Sequence, residues 1–66
     1  MHRIEAAIEA AYQAQIASLY KVLSDAILMA NNDQKKIAHA EVLFSIGLDF
    51  AEDVYNRARS AASLNN

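Results

Sequence analysis

Few side chains in this chain can do chemistry, and their spacing keeps them apart. His39 lies two residues before Glu41. On a helix that spacing places the two on different faces, so they cannot readily share a metal ion. Neither His-Glu-x-x-His nor Glu-x-x-His occurs, the spacings used by helical zinc proteases and di-iron bundles. With no cysteine there is no thiolate ligand and no disulfide. Ser18, Ser24 and Ser45 suggest no Ser–His–acid arrangement, and no glycine-rich loop can cradle a phosphate. His39 reads as a solvated or rim residue; at an interface, its protonation would weaken association. The expectation is a protein that is not an enzyme and needs no cofactor or metal.

One acidic group stands out. Asp49, Glu52 and Asp53 are spaced i, i+3 and i+4, which puts three carboxylates on one helix face. Such a patch can hold a hard cation or a partner's arginines. Its commoner role is a solvated face.

The elements that carry these residues must be helices. Fourteen of the 66 residues are alanine, proline is absent, and Gly47 is the only glycine. Alanine is the best helix former and proline and glycine the worst, whereas a β protein needs turn glycines and more β-branched residues. The one break is Asn31-Asn32-Asp33-Gln34. Asn31 or Asn32 can end a helix in the left-handed conformation, and Asn32 or Asp33 can cap the next one. The spacing predicts two helices, about 3–30 and 34–63, folded as an antiparallel hairpin in a single domain over 1–66. The alternative is one continuous helix about 90 Å long. Lys35 and Lys36 fall in the first turn of the second helix, where its dipole disfavours cations. The tail 63–66 is expected to fray.

The two helices carry different stripes. In the first, Ile4, Ile8, Tyr12, Ile16, Leu19, Leu23, Ile27 and Ala30 recur with a period of about 3.7, which predicts a nearly straight seam. In the second, Ile37, Ala40, Phe44, Gly47, Ala51, Val54, Ala58 and Ala61 form a strict heptad rich in small residues. A valley of small residues between larger flanks is shaped to receive a helix. Gly47 then serves a close approach, or is simply tolerated at a cost of about 1 kcal/mol against alanine.

Residues 41–50 exceed what such a hairpin can bury. Each helix can hide one stripe of about 100–140° against the other. Leu43, Phe44, Phe50 and Val54 can serve that seam. Val42 and Ile46 cannot, and with Val22, Leu28 and Met29 they form a surplus. An apolar surplus of this kind marks an interaction surface. The interface candidates are therefore Val42, Leu43, Phe44, Ile46, Gly47, Leu48, Phe50 and Val54. The simplest occupant is a second copy, giving a homodimeric four-helix bundle; another helical protein is the other choice.

Charge narrows the partners further. Six basic and eight acidic side chains give a net charge of −2. Lys35 and Lys36 are separated from Arg57 and Arg59 by the acidic group, which splits any stripe for RNA or DNA. A nucleic-acid-binding hairpin dimer remains the alternative. No apolar leader core and no uncharged window of about 20 residues is present, so the expected address is the cytoplasm, without a membrane. In architecture and length alone, the chain resembles small bacterial helical-hairpin proteins. These include RNA-binding hairpin dimers of the plasmid type and secretion co-chaperones or adaptors.

Overall fold

The structure, a computed structural model, describes residues 2–64; Asn65 and Asn66 of the tail lie outside them. Helix α1 spans His2–Ala30 and helix α2 spans Gln34–Ser63, within a residue of the expected bounds. The contacts Glu9–Tyr55, Tyr12–Tyr55 and Leu19–Gly47 run in opposite senses along the two helices, so the hairpin is antiparallel. The Cα trace measures 50 × 16 × 8 Å, a slab one helix thick. Its radius of gyration is 15.3 Å, against about 11 Å for a compact domain of this length.

The turn is built by asparagine. Asn31 and Asn32 both take positive φ, at 51° and 67°. The Asp33 N–H donates to the Ala30 carbonyl at 3.0 Å. Two successive positive φ values inside such a bond are the pattern of a type I′ turn, and asparagine tolerates it better than other side-chain-bearing residues. Asp33 then caps α2. Its Oδ1 accepts from the Lys35 and Lys36 N–H groups at 3.0 and 3.3 Å. The cap also answers the unfavourable pair of lysines, since it sets a carboxylate at the positive end of the helix.

The seam is made of small residues. Among the described residues, Ala30, Ala40 and Ala51 are the ones buried, and no large side chain is fully covered. Gly47 belongs to this close approach. A Cβ placed there would lie 2.6 Å from Leu19 Cδ2 and 3.3 Å from Cδ1. A side chain at 47 would have to displace the Leu19 methyl groups, so Gly47 and Leu19 pack together across the seam.

The seam also departs from the strict heptad toward the free ends. Tyr55 and Ala62 are partly buried there, whereas Val54 and Ala61 are exposed. A heptad pattern drifts by about 20° per repeat on a straight helix, so the inward position moves one residue along after several repeats. Tyr55 gains a second anchor from its hydroxyl, described below. On α1, Ile4 and Ile27 of the predicted stripe are exposed while Ala26 is partly buried.

Two substitutions test this description. Gly47→Leu is expected to lower stability by about 1–3 kcal/mol through overpacking against Leu19, read by urea melts followed by circular dichroism; an unchanged midpoint would mean the seam is loose at 47. Asp33→Ala should cost about 0.5–2 kcal/mol by removing the α2 cap, measured in the same way.

Candidate interaction surface

On α2, Leu43, Ile46, Phe50 and Val54 step by 3, 4 and 4 residues, which aligns them as one ridge. All four are exposed: Leu43 53%, Ile46 59%, Phe50 61% and Val54 39%. Leu43 and Phe50 do not serve the seam as anticipated. The α1–α2 approach is so close that alanine fills it, and side chains as long as these are left at its margin. Phe44, Gly47 and Leu48 are the partly buried members of the predicted set, and Val42 is exposed.

The ridge borders two grooves between the helices. One, about 390 Å³, lies near the turn and is lined by Val22 and Met29 of α1 and by Lys36, His39 and Leu43 of α2, above Leu19 and Phe44. The other, about 110 Å³, lies toward the free ends and is lined by Ala11, Gln15, Val54 and Ala58, among others. Ala11 and Val22 are eleven residues apart, as are Leu43 and Val54. Eleven residues make about three helical turns, so both grooves open on the same face of the slab. Val22 and Met29, 65% and 82% exposed, extend the apolar surface to the turn.

The opposite face is more polar, although Tyr20 and Ile27 are exposed on it. Eleven-residue spacing aligns Glu9 with Tyr20 and Gln13 with Ser24 on α1, and Glu41 with Glu52 and Ser45 with Asn56 on α2. A further groove of about 390 Å³ at the free ends is lined by Ile4, Glu5, Ile8, Asn56, Arg59, Ser60, Ala62 and Ser63.

A polar cluster near the free ends ties the helices together. The Tyr55 hydroxyl donates to Glu9 Oε1 at 2.6 Å, and Gln13 Nε2 donates to Glu9 Oε2 at 2.9 Å. The Tyr55 ring stacks on Tyr12 with centroids 4.4 Å apart, and the Arg59 guanidinium lies 5.5 Å from its centre. Tyr12 stood in the predicted stripe of α1, but its union with Tyr55 and Glu9 went unread. The sequence signal was weak: Glu9 to Gln13 is an ordinary i, i+4 pair, and the link to Tyr55 spans the whole hairpin.

This cluster is a clamp rather than a proton-transfer device. The Gln13 hydrogen bond, followed by that of Tyr55, lowers the Glu9 pKa below its ordinary value, with burial opposing. The Glu9 hydrogen bond, then burial and the Glu9 charge, raise that of Tyr55. Both groups move away from neutrality, the reverse of what acid–base catalysis near pH 7 requires.

Within the acidic patch one carboxylate is already paired. Asp53 Oδ2 accepts from Arg57 Nε at 2.8 Å in an exposed pair. Among the described residues, no group of three or more His, Cys, Asp or Glu side chains is placed to hold a metal ion. Lys35 and Lys36 remain near the turn, with Asp49, Glu52 and Asp53 between them and Arg57 and Arg59. No helix of the described residues is long and apolar enough to cross a membrane. In comparisons with known families, curated proteins and solved structures, the chain matches none.

The clamp sets a pH window. Because the folded state lowers the Glu9 pKa, its contribution is present above the ordinary glutamate pKa of about 4.3 and is lost as pH falls through the lower folded value. Because the folded state raises that of Tyr55, its contribution is complete below about pH 10 and is lost as pH climbs through the higher folded value. Tyr55→Phe is expected to shift the Glu9 carboxyl titration, followed by NMR, toward higher pH and to erase the Tyr55 share of the alkaline loss. An unmoved Glu9 titration would show that the hydrogen bond does not form in solution.

Proposed function

We propose that this chain is a cytoplasmic, non-enzymatic interaction module: half of a helical bundle, completed by a second copy of itself. The observation that carries this reading is the apolar face, where Val22, Met29, Leu43, Ile46 and Phe50 are each more than half exposed. Among the described residues nothing larger than alanine is buried, and the large side chains of the seam, such as Leu19, Leu23 and Phe44, are covered only in part. A helical pair whose fully buried positions are all alanine supplies little hydrophobic stabilisation, and domains of this length commonly need association. Each large side chain on the ridge would contribute about 1.5–3 kcal/mol on full burial, before ordering costs are subtracted.

Surface area supports a partner of similar size. The chain exposes 5324 Å², whereas a compact monomer of its mass exposes about 4,200 Å². The excess of roughly 1,100 Å² is comparable to the ~800 Å² that each partner buries in a standard stable interface. The same face offers no continuous basic stripe, so a protein surface fits it better than nucleic acid.

Sedimentation equilibrium over a wide concentration range tests the proposal. The wild-type chain is expected to sediment as a dimer. Ile46→Asp should give a monomer that retains detectable helix by circular dichroism, while Ser45→Asp, next along the chain but on the polar side, should leave the dimer mass unchanged. A wild-type mass for Ile46→Asp would remove the ridge from the contact, and a monomeric wild type would overturn self-association.

A further inference from the structure

We infer that the second copy seats with the two-fold axis parallel to the helices, so that α2 of one hairpin lies over α1 of the other. This rests on the self-association just proposed and specifies its geometry. The apolar face has two unlike halves. On α2 the ridge of Leu43, Ile46, Phe50 and Val54 stands exposed. On α1, Ala7, Ala11, Ala14 and Ser18 step by 4, 3 and 4, forming a neighbouring line of short, exposed side chains. The contacts Leu19–Gly47 and Tyr12–Tyr55 fix the relative height of the helices and set Phe50 level with the α1 stretch between Tyr12 and Leu19. Ridge and short-chain line therefore run side by side over the same stretch.

Two orientations of a two-fold axis bring this face onto itself. With the axis along the helices, each ridge descends on the short-chain line of the other copy at the same level, twice over. The layers then keep one separation throughout. With the axis across the helices, ridge meets ridge and short line meets short line. The α2 pair is then wedged apart while voids open between the α1 helices, and each void forfeits packing attraction. Near the turn, where both helices carry large side chains, the 390 Å³ groove beside Val22, Met29 and Leu43 gives them room to interdigitate. The first orientation therefore matches the ridge and the short-chain line along their whole shared stretch.

The test needs no substitution. A 1:1 mixture of ¹³C-labelled and unlabelled wild-type chains is examined by isotope-filtered NMR, with the mass of the same sample measured. The expected result is intermolecular contact between the Phe50 ring and the side chains of Ala14 and Ser18, which flank its level on the other copy. Intermolecular contacts confined to Phe50 and Ile46 with their own counterparts would overturn this geometry while leaving self-association intact. A monomeric mass with no intermolecular contact would overturn both.

Discussion

Two long helices here meet through alanine, and the rest of the molecule follows from that constraint. Ala30, Ala40 and Ala51 close the seam, and Gly47 makes room for Leu19. Small residues let helices approach closely, but they carry little apolar area into the interior. A hairpin built in this way gains a defined geometry and forgoes a core. Large side chains such as Leu19, Leu23 and Phe44 are covered only in part, and Leu43, Ile46, Phe50 and Val54 stand at the margin of one face, where they become a surface. Thinness of the seam and richness of the face are two results of one choice of residues.

The helices, the turn and the hairpin were legible in the sequence because each rests on local chemistry. Alanine content, the lack of proline and the Asn-Asn-Asp break all act over a few residues. The division of apolar side chains between seam and face was harder to read. Leu43 and Phe50 sit beside the small-residue heptad, and periodicity alone assigns them to whichever side the helix spacing favours. That spacing depends on how near Ala40, Gly47 and Ala51 allow α1 to come, which is a property of both helices together. The exchange of Val54 for Tyr55 near the free ends has a similar origin, because drift accumulates over repeats and no single residue announces it. The Glu9–Tyr55 bond joins residues 46 apart in sequence and leaves no local trace at all.

The faces divide labour. One side carries the ridge and the two grooves; the other carries Glu9, Gln13, Glu41 and Glu52. The carboxylate side of the anchor and the apolar ridge thus occupy different surfaces of one slab, while the Tyr12 and Tyr55 rings lie between them and also line the smaller groove.

The tyrosine stack at the free ends has an optical consequence. The chain contains no tryptophan and three tyrosines, so its ultraviolet emission is tyrosine emission. Tyr12 and Tyr55 lie ring against ring, and the Tyr55 hydroxyl is bonded to a carboxylate, an arrangement suited to quenching. The free ends are also where a hairpin zipped from its turn closes last, since each added pair there spans a longer stretch of chain. The emission of Tyr12 and Tyr55 therefore reports on the closure of the free ends, over a steady contribution from the exposed Tyr20.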